Sequence, residues 1–160
     1  MRLFTVRHRF LGLGVVLALL LVGCGTGTPS GNQVSPEEVH TQWVAALRDN
    51  DRQAALAVHA DSASELIAAE VDRILRVIQQ ELRSGQISYY RGEDFGPFQQ
   101  VTTLPVQEHG AGRVGVSVWS YATQPMCYRT TLAQTTAGWR VTQWDPMQKG
   151  ECAAAIQRTP

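Results

Sequence analysis

The sequence predicts an α+β domain in which N-terminal helices pack on a curved antiparallel sheet. Up to Gly85 the apolar residues recur with helical spacing, and helix-capping residues precede each apolar stretch. After Gly85 the pattern changes to short β-branched stretches with alternating apolar and polar residues, separated by turn-forming residues. Helices that precede the strands, rather than alternate with them, are typical of the α+β class.

The first two helices are predicted from their caps. Ser35 can cap the first helix, Pro36 suits its first position, and Glu38 completes a capping box. The apolar stripe of this helix consists of Val39, Trp43, Ala46 and Leu47. Asp51 can cap a second, short helix over residues 52–59.

The third helix has the clearest periodicity. Ser62 and Glu65 form a second capping box, and Gly85 is placed to end the helix. One face is wholly apolar and carries Ile67, Val71, Ile74, Leu75, Ile78 and Leu82. The polar residues are expected on solvated faces; they are Glu70, Asp72, Arg73, Arg76, Gln79, Gln80 and Glu81.

Four longer strands and one short one are predicted after the helices. They span residues 87–91, 98–107, 113–121, 126–134 and 139–144, with a hairpin loop at 135–138. Pro105 restricts its strand to an edge or a bulge. The C-terminal residues after the sheet are weakly patterned, so a domain over 35–152 and a tail over 153–160 are predicted.

An interaction surface is predicted on the sheet. If Val114, Val116, Val118 and Val141 face the helices, the opposite side faces outward. That side carries Arg113, Trp119, Tyr121, Arg140 and Trp144. Aromatic residues beside arginine are typical of protein interfaces. Two alternatives stay open: a curved sheet covers these residues, or a bulge reverses their orientation.

Residues 1–23 have the organisation of an export signal. The first nine residues include three arginines and no acid, and residues 10–22 are almost wholly apolar. That run is shorter than the about 20 residues that a membrane-spanning helix needs. The end of the run and the two residues after it read Leu21-Val22-Gly23-Cys24, which resembles the lipobox of bacterial lipoproteins. An ordinary secretory signal or a short membrane anchor is the alternative.

The lipoprotein resemblance implies cleavage before Cys24 and attachment of fatty acids such as palmitate to that residue. The protein is then expected on the extracytoplasmic face of a cell membrane, with residues 24–34 as a flexible linker. Without residues 1–23, the chain has 11 basic and 14 acidic side chains and no basic cluster. This composition argues against a nucleic-acid partner.

If Cys24 is modified with lipid, two cysteines remain. In an exported protein, Cys127 and Cys152 are expected to form a disulfide, which closes a loop of about 25 residues and stabilises by about 3 kcal/mol. Two separate free thiols are the alternative.

The order of elements resembles the NTF2-like (cystatin-like) superfamily, in which a curved sheet forms a cone around a long helix. The resemblance is carried by Trp43-Val44-Ala45-Ala46-Leu47, residues 49–60, the strand at 113–121 and Gly138-Trp139-Arg140-Val141. It implies a cleft between helix and sheet, and often dimers through the sheet. Because the superfamily contains both enzymes and inert binding domains, fold alone does not choose a function.

No catalytic residue, metal site or cofactor is predicted. The histidines lack metal-ligand spacing, and the carboxylates Glu93 and Asp94 lie in an apparent loop. Four tyrosines complete the weak candidates for acid–base chemistry: Tyr89, Tyr90, Tyr121 and Tyr128. The sequence therefore favours a non-catalytic domain that binds a small apolar ligand, an envelope protein or a second copy. An isomerase- or dehydratase-type enzyme is the alternative.

One structural observation separates these functions. A cone filled by Trp43, Ile74, Ile78, Trp139 and Val141 argues against an enzyme. A desolvated carboxylate or histidine at the cone mouth, within hydrogen-bond reach of a tyrosine, favours one.

Overall fold

Residues 34–158 are described by the computed structural model. The predicted signal peptide, Cys24 and almost all of the predicted linker lie outside this range. Within these residues, four helices span Pro36–Asp49 (α1), Arg52–Val58 (α2), Glu65–Ser84 (α3) and Lys149–Gln157 (α4). The strands are Gln86–Ile87 (β1), Glu93–Asp94 (β2), Phe98–Thr103 (β3), Gln107–His109 (β4), Gly112–Tyr121 (β5), Pro125–Thr135 (β6) and Gly138–Pro146 (β7). The α+β class is confirmed.

Most of the helix boundaries follow from the caps. The Ser35 side chain accepts from the Glu38 N–H and the Asp51 side chain from the Ala54 N–H, as predicted. The second predicted capping box is wrong. Helix α3 begins after Ser64, whose side chain makes no capping bond. Asp61, three residues before Ser64, has a left-handed backbone conformation.

Gly85 ends α3 with φ 71°, as the sequence predicts. A Cβ atom at this position would also overlap the carbonyl oxygen of Gly96. Both the left-handed conformation and the close backbone contact therefore require glycine here.

The main sheet is antiparallel with strand order β3-β5-β6-β7, and β4 also pairs with β5. The predicted strand over 98–107 is interrupted between β3 and β4, where Pro105 lies. The predicted strand over 87–91 is shorter, because residues 88–90 form a 3₁₀ turn. Residues assigned to a tail instead form α4, whose capping box joins Gln148 and Glu151.

Two apolar clusters flank the sheet. The larger one lies between the sheet and α1–α3 and contains Trp43, Leu47, Ile74, Ile78, Trp119 and Leu132. The smaller one lies on the outer side and contains Val118, Cys127, Met147, Cys152 and Ala155. Helix α4 therefore covers one end of the outer sheet face, and the sheet is buried on both sides there.

The disulfide between Cys127 of β6 and Cys152 of α4 is present, as predicted, with 5.3 Å between the Cα atoms. Both residues are buried. The bond joins α4 to one end of β6, an inner strand of the sheet. No helix within residues 34–158 is long and apolar enough to cross a membrane.

The predicted orientation of β5 is wrong. Trp119 and Tyr121 are 0% and 4% exposed and pack against the helices, whereas Val118 belongs to the outer cluster. The aromatic side of this strand is thus the inner side, because its large rings bury more apolar area than valines would.

The remaining residues of the predicted surface do not form one outward face. Arg113 lies over the ring of Trp139 at 5.5 Å, and Arg140 donates to the Trp139 carbonyl. An irregularity between β6 and β7 at Thr131/Leu132 pairs Leu132 with Val141 and Thr130 with Trp144. This bulge, one of the alternatives considered above, brings Trp144 to the same side as Val141.

Candidate functional site

A cleft of about 490 Å³ opens between α3 and the C-terminal half of β7. Its apolar walls come from Ile67, Ile74, Val77, Trp144 and Pro146. Cavities of a few hundred Å³ with apolar walls and few polar groups are typical of small-ligand sites. The cleft is therefore the candidate functional site within residues 34–158.

Glu81 of α3 lies at the inner end of the cleft and is 1% exposed. Its Oε2 accepts a 2.5 Å hydrogen bond from the Tyr128 hydroxyl of β6. Its Oε1 accepts a 2.8 Å bond from the Ser88 N–H, in the 3₁₀ turn after β1. The carboxyl group thus joins three parts of the fold at one buried point.

Burial raises the pKa of the Glu81 carboxyl, because a desolvated carboxylate is unfavourable, while its hydrogen bonds act in the opposite direction. Burial, together with the nearby Glu81 charge, also raises the pKa of the Tyr128 hydroxyl well above its usual value. Tyr128 therefore remains a hydrogen-bond donor at neutral pH. The pair has the composition of an acid–base site, although it is equally a satisfied core contact.

Glu81 was missed by the sequence interpretation, which assigned it to a solvated face. A signal for its burial does exist. With 3.6 residues per turn, residue 81 lies only about 20° around the helix from residue 74. Ile74 is 3% exposed, so Glu81 lies within the apolar stripe. An acid inside such a stripe indicates a buried carboxyl that needs partners.

Trp144 and Tyr128 form the aromatic floor of the cleft. Their rings stack with centroids 4.2 Å apart and an interplanar angle of 12°. The irregularity in β7 places Trp144 on this side of the sheet, beside Pro146. The sequence predicts Tyr128 as a weak acid–base candidate and Trp144 as an outward contact residue; the structure brings both into the cleft.

Polar groups surround the cleft mouth. Arg73 donates two hydrogen bonds to Glu70, of 2.8 and 2.6 Å, so the two charges largely neutralise each other. The Nδ1 atom of His59 lies 2.7 Å from the Ala60 carbonyl; because a carbonyl oxygen only accepts, this nitrogen carries the proton. Tyr89, 41% exposed, also lines the opening.

A filled cone was expected for a binding domain, and a desolvated carboxyl beside a tyrosine was expected for an enzyme. The structure meets each of these two criteria in part. The cone interior is filled by Trp43, Ile74, Ile78 and Val141, all 3% exposed or less, with Trp139 partly buried. The mouth nevertheless holds a desolvated carboxyl in contact with a tyrosine. The space for a ligand is thus the mouth of the cone and not its interior.

The other acid–base candidates make contacts of their own, although Tyr90 and Tyr121 lie close enough to act electrostatically on the Tyr128 hydroxyl. Glu93 is exposed and bonds Lys149 at 2.6 and 2.8 Å, and Asp94 accepts from the Gly96 N–H. The Tyr90 hydroxyl donates to the Met147 carbonyl. Tyr121 is buried among aromatic rings, and burial raises the pKa of its hydroxyl.

A second depression, of about 590 Å³, lies on the outer sheet face beside α4. Its lining mixes Val114 and Val116 with charged side chains of both signs, including Arg129, Asp145 and Arg158. Residues 34–158 contain no group of three or more histidine, cysteine or acidic side chains arranged to hold a metal ion.

Comparison with known proteins supports the fold. No family model matches the chain, and no curated protein matches it. A Campylobacter jejuni protein, provisionally described as an NTF2-like transpeptidase, superposes with a TM-score of 0.51 and 9% sequence identity. The match covers 68% of this chain and 98% of that one. The fold is NTF2-like. At this identity the likeness to the NTF2-like neighbour concerns the fold alone.

Proposed function

We propose that this protein is a membrane-anchored, extracytoplasmic lipoprotein whose NTF2-like domain binds a small, largely apolar ligand without catalysis. The observation that carries the binding function is the cleft between α3 and β7, with its apolar walls and one buried polar pair. A protein partner or homodimer has less support, because Trp119 and Tyr121, which motivated that interpretation, are buried.

Replacing Cys24 with serine is expected to release the protein from membranes, because the lipobox at Leu21–Cys24 then lacks the thiol that receives lipid. Fractionation after a carbonate wash, followed by immunoblotting, measures the release. Thr26→Ser, a conservative change two residues further along, is the control and should remain in the membrane fraction. A Cys24→Ser variant that still sediments with membranes would contradict the anchor.

Ligand binding in the cleft is tested with N-phenyl-1-naphthylamine, a neutral apolar dye that fluoresces when it leaves water. The wild-type domain should bind it. Val77→Trp fills the cleft with an indole ring and should weaken binding by about tenfold or more, because the dye then meets a steric clash. Fluorescence titration gives both dissociation constants.

Leu66→Trp is the matched control, since it introduces the same ring on the same helix at a position that is 82% exposed. It should bind the dye as the wild type does. Equal affinities for the wild type and Val77→Trp, or no binding by the wild type, would contradict a ligand site in the cleft.

An acid–base enzyme of isomerase or dehydratase type is the second candidate. The raised pKa of Glu81 and its contact with Tyr128 favour it. We place it second because both Glu81 oxygens already accept hydrogen bonds and the residue is 1% exposed, which keeps a substrate proton out of reach. Deuterium exchange into a β,γ-unsaturated ketone, accelerated by the wild type but not by Glu81→Gln, would favour the enzyme instead.

The transpeptidase activity named for the Campylobacter jejuni protein is not proposed for this chain. Acyl transfer to an enzyme needs a nucleophile with a neighbouring base. Cys127 and Cys152 are joined in a disulfide, and the Ser88 hydroxyl interacts with the already engaged Glu81 carboxyl.

A further inference from the structure

The charge inside the cleft is dominated by one acid. Glu70 and Arg73 at the mouth neutralise each other through two short hydrogen bonds. Asp145 contributes to the rim, but its register partner on β6 is Arg129, so its side chain is on the outer sheet face. Glu81 is therefore the group that determines which charge is favoured at the inner end.

Glu81 has only neutral partners. Its two oxygens accept from the Tyr128 hydroxyl and the Ser88 N–H. None of the ion pairs found within residues 34–158 includes it. A buried carboxyl without a cation gains more from a positive charge than an exposed one, since the surrounding protein screens the attraction less than water does.

The walls of the cleft are also suited to a cation. Trp144, stacked on the buried Tyr128 ring, forms the floor, and Tyr89 lies at the opening. The faces of the Trp144 and Tyr89 rings carry partial negative charge, which attracts ammonium groups. Ile74 and Val77 line the opposite wall and offer contact for an apolar body.

We propose that the cleft selects an organic cation, an ammonium group carried on an apolar body, whose positive end is attracted by the Glu81 charge at a distance and not through a hydrogen bond. This inference rests on the proposed ligand-binding function and specifies its ligand class. A neutral apolar molecule of the same shape contacts only the apolar and aromatic walls, and the buried carboxyl then has no counter-charge. An anion of the same shape is repelled by it.

The proposal includes a pH dependence with a defined sign. The other titratable or charged groups around Glu81 are Tyr121 and Tyr128 of the sheet, and His59, Glu70 and Arg73 line the same cleft. The cation is attracted by the ionised carboxyl, so acidification that protonates Glu81 weakens its binding. A neutral molecule in the same cleft does not share this loss. Burial raises the pKa of Glu81, so the loss begins at a higher pH than for an exposed glutamate.

Three probes of one shape test the ligand class: 2-phenylethylammonium, 2-phenylethanol and phenylacetate. Isothermal titration of the wild-type domain should give an affinity for the ammonium probe about tenfold or more above that for the alcohol, with phenylacetate weakest. Glu81→Gln should bring the ammonium-to-alcohol ratio to about one, because the amide carries no charge. Glu65→Gln, an exposed acid in the first turn of the same helix, should keep the wild-type ratio.

A second measurement keeps the test valid if Glu81→Gln fails to fold. In the wild-type protein, lowering the pH should reduce the ammonium-to-alcohol ratio towards one. Alcohol or phenylacetate binding as tight as ammonium binding would overturn the ligand class while the cleft function stands. No binding by any of the three also overturns it, and the naphthylamine titration of Val77→Trp then decides separately whether the cleft binds ligands.

Discussion

Replacing both Cys127 and Cys152 with alanine is expected to lower the free energy of unfolding by about 3 kcal/mol. The bond closes a loop with a sequence separation of 25 residues, and a cross-link of that length restricts the unfolded chain by about this amount. The bond also attaches α4, whose apolar contribution to the outer cluster is limited to Cys152 and Ala155. Urea unfolding followed by tryptophan fluorescence measures the loss.

Reductant provides the matched control for this prediction. Dithiothreitol should shift the urea midpoint of the wild type close to that of the double variant and leave the variant unchanged. An unfolding midpoint of the wild type that does not respond to reductant, under conditions in which both thiols can be alkylated, would show that the bond contributes no stability.

Acidification from pH 6.5 to about 4 is expected to cost the domain about 3 kcal/mol through His40 alone. This side chain of α1 is 1% exposed, and neither ring nitrogen has a hydrogen-bond partner. Desolvation lowers its pKa from 6.5 to about 4 in the folded protein. Between these values the unfolded chain binds a proton that the folded chain does not, so stability falls as the pH falls.

His40→Leu should remove this loss, since leucine fills the site without a titratable group. The difference in unfolding free energy between the variant and the wild type should therefore grow as the pH falls from 6.5 to about 4. His109→Leu, at an exposed position, is the control for a general effect of removing a histidine. A difference that stays constant over this range would contradict the burial of a neutral imidazole.

Glu81 has the opposite pH dependence. Because burial raises its folded pKa, the folded state binds the proton more readily, and its contribution to stability is lost as the pH rises through the folded pKa. Comparing His40→Leu with the wild type cancels this term, since both proteins retain Glu81. The two effects can therefore be measured separately.

Local sequence patterns determine the elements of this fold better than the orientation of their faces. Helices α1 to α3 and strands β5 to β7 were predictable, because caps and periodicity are local properties. The side of β5 that faces the helices could not be predicted. Valines lie on one side of the strand and aromatic residues on the other, and both sides are apolar enough to be buried. Helix α4 was missed because its Ala153-Ala154-Ala155 run has no amphipathic stripe, and tertiary attachment through Cys152 holds it.

The candidate site was only partly predictable for a related reason. Tyr128 could be named from its residue type, but its partner could not, because the two residues are 47 positions apart in the chain. The position of Trp144 depended on an irregularity that no turn-forming residue marks in β7. Of these residues, only Glu81 could have been identified from the sequence, because its position inside an apolar stripe indicates a buried carboxyl.

The location of α4 limits how two copies of this domain could stack back to back. The NTF2-like resemblance implies pairing through the sheet, but on the outer face a disulfide-bonded helix covers the end around Val118 and Cys127. A second sheet laid flat on this side would collide with that helix. Steric exclusion therefore confines any such pairing to the end around Val114, beyond the cluster that α4 covers, and a symmetric pair would have to be offset.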